Sequence, residues 1–181
     1  MLPEKYSWLS KEGAPKMLLA ALAEYGTKEY PGSGNNTKIV GWAKEVGGSV
    51  ARDYTNDSIP WCGLFMALIA KRSEKDLPAN PLWALNWVHF GVSVPVPMLG
   101  DVLVFKRQTS TGVAGHVTLY VGEDAEAYHC IGGNQGDSVS IVRISKSRLF
   151  AARRPIYKIG QPANVRRVFL SPSGNISNNE Q

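Results

Sequence analysis

The chain has 181 residues, 44% hydrophobic and 19% charged, which suits one domain with a buried core rather than a disordered or fibrous chain. No apolar run reaches the length of a membrane-spanning helix. The formal net charge is +5 and unevenly placed: residues 138–181 carry eight Lys and Arg against one acid, Glu180, which favours a polyanionic partner for the C-terminal part.

Residues 1–14 read as an irregular leader. Their start, Met1-Leu2-Pro3-Glu4-Lys5, lacks the basic head and apolar centre of a secretory signal. The chain is therefore expected as a soluble cytosolic product that needs separate release to act beyond a membrane. Pro15 then opens a helix, Met17 to Tyr25, that Gly26 closes. Residues 26–36 are dense in turn formers. A second helix follows from about Thr37, with Ile39, Trp42, Ala43 and Val46 on one face. Gly47-Gly48 stops it, and residues 49–60 read as a polar loop. The third helix starts at Pro60-Trp61-Cys62 and runs through an unbroken apolar stretch to Ala70, so it should be buried on every side. A fourth spans about Pro81 to Phe90.

The pattern changes at residue 92. Val92 to Pro97 is extended, and Val102 to Phe105 is an apolar strand. Gln108 to Ala114 reads as a turn, with Gly115 to Gly122 the next strand. Ala127 to Ile131, Val139 to Ile144 and Leu149 to Tyr157 complete the set. Helices first and strands second predict an α+β fold, with helices over 15–91 and a five- to six-stranded antiparallel sheet over 92–170. Residues 171–181 are expected to be a disordered tail.

Cys62 in the first turn of a helix lies where unpaired N–H groups favour a thiolate. A thiol nucleophile needs an imidazole within hydrogen-bond reach, and an acceptor that holds the imidazole in one tautomer. His116 follows Gly115 at a strand start and can face the helix mouth across the helix–sheet seam. The next strand exits through Gly133-Asn134-Gln135, where Asn134 offers one amide carbonyl and Gln135 another. Backbone N–H groups at the start of the Cys62 helix would hold an oxyanion, aided by a wall from Tyr54, Asp57 and Trp61. A Cys62–Cys130 disulfide would abolish this reading. A zinc site from His116, His129 and Cys130 lacks a fourth ligand, and no phosphate-binding glycine motif is present. No metal or cofactor is expected.

Five stretches carry a family resemblance: Ala23 to Gly32, Asp57-Ser58-Ile59-Pro60-Trp61-Cys62-Gly63-Leu64-Phe65, Pro97 to Phe105, Gly115-His116-Val117 to Gly122, and Gly132 to Asp137. Together they resemble the NlpC/P60 and CHAP group of papain-like cysteine peptidases and amidases, nearest its phage-associated branch. NlpC/P60 members commonly have Asp before the cysteine; here it is Trp61. The resemblance implies a papain-like fold with Cys62 as nucleophile, His116 as base and Asn134 as orienting residue, Gln135 being the nearby substitute. It also implies peptidoglycan as substrate, cut at the muramoyl-L-alanine amide or at a stem or cross-bridge peptide bond. The expected role is that of a monomeric phage endolysin released through a holin lesion. The basic C-terminal region would meet an anionic wall or outer-membrane polymer rather than nucleic acid. The rivals are a secreted antibacterial effector with the same chemistry and a non-catalytic wall-binding or virion module.

Overall fold

The computed structural model describes residues 1–32, 34–109 and 112–178. The fold is α+β. Pro15 caps α1 (Lys16–Ala23), and Asn36 caps α2 (Thr37–Val46) by accepting from the Lys38 N–H at 2.8 Å. All four residues of the predicted α2 stripe are buried. α3 (Gly48–Asp53) replaces the first part of the expected loop, because Gly47 turns the chain at φ 80° and a new helix begins at once. α4 (Cys62–Arg72) is buried without interruption from Cys62 to Ala70. Residues 84–89 form a 3-10 helix (Ala84–His89) rather than an α-helix from residue 81. There the preceding carbonyls are taken by side chains: the Asn86 amide bonds Ala79 O and Asn80 O, and Trp87 Nε1 bonds Pro81 O.

Seven strands follow: β1 (Val92–Ser93), β2 (Val102–Thr109), β3 (Gly112–Glu123), β4 (Ala127–Gly132), β5 (Ser140–Ser145), β6 (Leu149–Arg154) and β7 (Ile176–Ser177). Their order in the sheet is β1-β6-β2-β3-β4-β5-β7. The first six pair antiparallel, but β7 runs parallel to β5, so the sheet is mixed rather than purely antiparallel. Arg148 Nη1 donates to Ser177 O at 3.1 Å and Arg143 Nη1 to Gly174 O, which lays this segment along the edge of β5. The expected disordered tail is thus ordered through residue 178, and residues 179–181 lie outside the described residues. β3 begins at Gly112, so the expected turn from Gln108 to Ala114 is shorter than read; its centre, residues 110 and 111, is also outside them.

The leader is ordered too. Glu4–Lys11 is a 3-10 helix whose Tyr6 and Leu9 are buried. Tyr6 OH lies 2.6 Å from His129 Nδ1. His129 Nε2 lies 2.9 Å from Asp124 Oδ2, to which Arg143 Nε donates at 2.8 Å. A polar chain under the sheet therefore holds the first helix in place.

The helices cover one side of the sheet and share a core with Val102, Val104, Val117, Leu119, Val121 and Ile131. Leu103, Phe105, Tyr120, Cys130 and Ile144 form a second cluster. Cys62 belongs to the first and Cys130 to the second, and the two are not bonded to each other. Gly63 allows the 81–82 backbone to cross α4 closely, for a Cβ there would lie 2.6 Å from Pro81 O. Backbone cannot yield as a side-chain tip can, so Gly63→Ala should destabilise the fold by about 1–3 kcal/mol, measured by urea unfolding.

Candidate active site

Three elements converge at the mouth of α4. Cys62 is its first residue, where backbone N–H groups have no intrahelical acceptor. Trp61 precedes it and is fixed by its indole Nε1, which donates to Glu29 Oε2 at 3.0 Å. His116 sits within β3, antiparallel to β2, with Phe105 opposite it. Gly115 beside it leaves room for Leu85, whose side chain would lie 2.7 Å from a Cβ at that position. The glycine thus serves packing against the 84–89 turn. The third element is the exit of β4. Gly133 passes close over Trp61 and Phe65, with a Cβ there only 2.6 Å from Phe65 Cβ. The next two residues are thereby brought against the seam.

Cys62 and His116 come together, and the imidazole is the side chain that most favours the Cys62 thiolate. The backbone N–H groups of Val117 and Gly63 favour the thiolate as well. Burial alone would push the thiol pKa up, but the imidazole and the two N–H groups outweigh it and hold the thiol below its ordinary range. His116 itself is 3% exposed, so this pair works in a low-dielectric setting.

Gln135, not Asn134, reaches the histidine. Gln135 Oε1 lies 3.0 Å from His116 Nε2. The amide orientation is determined by its nitrogen, which donates to Ser140 O at 2.6 Å and to Cys130 O at 3.3 Å. Only the oxygen can face the ring, so His116 Nε2 carries the hydrogen. Asn134 fills a left-handed corner at φ 56°, and its side chain makes no hydrogen bond to His116. The sequence pair Asn134-Gln135 located the third group within one residue. Which of the two faces inward depends on the turn's dihedral angles, which composition does not reveal.

The proposed wall of Tyr54, Asp57 and Trp61 is turned inward. Tyr54 OH donates to Ile59 O at 3.2 Å. Asp57 Oδ2 accepts from Asn36 N at 2.6 Å, and Asp57 N donates to Asn35 Oδ1 at 3.0 Å. All three residues are buried. They shape the two loops that frame α4. The Val117 N–H is a contact that sequence reasoning missed, since a main-chain donor has no residue signature. Asp101 is bonded bidentately by Arg154, at 2.9 and 2.7 Å, and is structural.

Comparisons with protein-family models, with curated proteins and with solved structures returned no match. The site therefore stands on its geometry. In a thiol mechanism, replacing Gln135 by Ala removes the acceptor that holds the tautomer and should lower turnover about 10- to 100-fold; because the buried amide also donates to Ser140 O and Cys130 O, stability should fall too, by about 1–3 kcal/mol. Gln135→Glu, which keeps an acceptor oxygen, should recover part of the turnover in steady-state kinetics.

Proposed function

We propose that the protein is a cysteine-dependent hydrolase of peptidoglycan amide bonds. The observation that carries this reading is the Cys62–His116–Gln135 chain: a thiol of lowered pKa, the imidazole that lowers it, and an amide carbonyl behind the imidazole. The sequence resemblance supplies the substrate class, and with it a papain-like arrangement in which the Cys-bearing helix packs on antiparallel strands.

In this reading the Cys62 thiolate attacks the scissile carbonyl carbon. The carbonyl electron pair moves to oxygen, where N–H groups at the start of α4 stabilise it. As the tetrahedral intermediate collapses, the C–N bond breaks and His116 gives its proton to the leaving amine, which departs. A water then attacks the thioester while His116 takes its proton. Collapse releases the acid and returns the thiolate–imidazolium pair. A muramoyl-L-alanine amide and a stem peptide bond both satisfy this scheme. The biological role that fits is lysis of a bacterial host by an endolysin released through a membrane lesion.

Purified protein incubated with cell-wall sacculi should release soluble fragments bearing new amino groups, and mass spectrometry of the fragments identifies the bond. Intact sacculi after incubation with fully reduced protein would exclude the reading.

A further inference from the structure

The end of α4 remote from Cys62 carries a surface that the hydrolytic reading does not use. After β6, residues 155–162 loop outward, and Ile156 and Ile159 are 65% and 102% exposed. Two large aliphatic side chains held in solvent within four residues form an unfavourable surface. The loop is kept open by its neighbours. Lys75 Nζ donates to Ile156 O and lies 5.5 Å from the Tyr157 ring centroid. Each isoleucine borders a recess. One, of about 340 Å³, is walled by Pro15, Met17, Pro155, Tyr157 and Pro162 beside Ile159; the other, of about 160 Å³, lies between Phe90 and Ile156. Ser73 and Tyr157 line the larger recess, and their hydroxyls have no hydrogen-bond partner.

The rim is cationic. Lys16, Lys75 and Lys158 border the larger recess. Arg153 donates to the carbonyls of Phe90 and Gly91, two residues that line the smaller one. Against these four stand two carboxylates, Glu74 and Asp76. Glu74 pairs with Lys16 at 3.6 Å and Lys158 at 3.2 Å, and all three side chains are at least 64% exposed. Such exposed pairs are weak and open to exchange with a phosphate.

We propose that this corner docks on the surface of an anionic phospholipid bilayer, with Ile156 and Ile159 entering the headgroup region and the lysines meeting lipid phosphates. Exposed aliphatics ringed by long cationic side chains match that interface, because the stems lie along the apolar layer while the ammonium groups stay with phosphate. The apolar area is a loop tip with two recesses, small beside the roughly 800 Å² per partner of a stable protein interface. α4 has eleven residues, so Cys62 lies about 16 Å along the helix from the end that docks.

The test is sedimentation of the full chain with vesicles of phosphatidylglycerol and phosphatidylcholine, beside vesicles of phosphatidylcholine alone. Retention is expected on the anionic vesicles and not on the neutral ones. The Ile156→Ser/Ile159→Ser double variant should bind about tenfold or more weakly. Lys16→Gln/Lys158→Gln should weaken binding and flatten its salt dependence. Since vesicle retention needs no turnover, it is read independently of hydrolysis, and Cys62→Ala should bind as the wild type does. Equal retention on both vesicle types, no retention on either, or undiminished binding by the isoleucine variant overturns the proposal. Self-association through the loop instead, seen as an isoleucine-dependent dimer in sedimentation velocity without vesicle binding, overturns it as well.

Discussion

Cys62→Ala should retain the fold and lose hydrolysis of sacculi by about 10⁴-fold or more. The side chain lies in the helix-side core at the first turn of α4, and alanine keeps both the helix and most of the buried volume. The loss therefore reads on chemistry. His116→Ala should reach a similar residual rate, because a thiol without its imidazole returns towards its ordinary pKa and leaves the departing amine without an acid. The double variant should be hardly worse than either single one, as expected for groups that act as a unit. Circular dichroism establishes the fold, and fragment release from sacculi measures the rate. A Cys62→Ala protein that still released fragments at the wild-type rate would place the chemistry elsewhere in the chain.

The largest stability effect is expected under the sheet. Asp124 is bonded by Arg143 at 2.8 Å, and its side chain is 2% exposed against 7% for the arginine. It also lies 2.9 Å from His129, and its Oδ1 accepts from the backbone N–H groups of Glu126 and Ala127 at 2.8 and 3.0 Å. Asp124→Ala strips all of these at once and leaves a buried guanidinium unpaired. We expect a loss of about 3–5 kcal/mol, or a melting temperature lower by about 10 °C, with the 4–11 helix loosened first because Tyr6 leans on His129. Hydrogen exchange at residues 4–11 detects the loosening. The same cluster imposes a pH dependence. Burial alone would raise the Asp124 pKa, but Arg143, the two backbone N–H groups and His129 hold it far below the usual carboxylate range. Its stabilisation is complete above the ordinary Asp value of about 4 and is lost as the pH falls below that. Asp124→Asn should remove this acid sensitivity while lowering stability at neutral pH.

The parts of the fold that were legible in the sequence are those with a local cause. The α2 stripe repeats at helical spacing, and the α4 run is too long and apolar to lie anywhere but inside. The strand that bears His116 was legible from its apolar run, although Gly115, read as its start, lies inside β3 (Gly112–Glu123). What was hidden depends on partners far along the chain. The 4–11 helix is short and weakly patterned, and it is ordered because Tyr6 meets His129, 123 residues away. β7 is two residues long, and its parallel pairing rests on arginines in and just after β5. In the site, Cys62 and His116 were readable as residue types in a plausible order. The choice of Gln135 over Asn134 was not, because a left-handed corner sets which side chain turns inward. Tyr54, Asp57 and Trp61 were misjudged for a related reason: polar residues beside a nucleophile can serve the loop as well as the substrate. The Asp57 carboxylate organises the Asn35–Asn36 backbone instead.

Gln135 is an uncharged amide, and this has a consequence for the timing of proton transfer. An imidazolium backed by a carboxylate keeps a counterion throughout a catalytic cycle. Under the proposed mechanism the thiolate supplies a negative charge facing the ring, and that charge passes to the carbonyl oxygen when the sulfur attacks. At that moment Gln135 offers the ring a carbonyl dipole rather than a compensating charge. In that scheme an uncharged amide behind the ring holds its proton less firmly than a carboxylate would, which favours its transfer to the departing amine at the step that requires it.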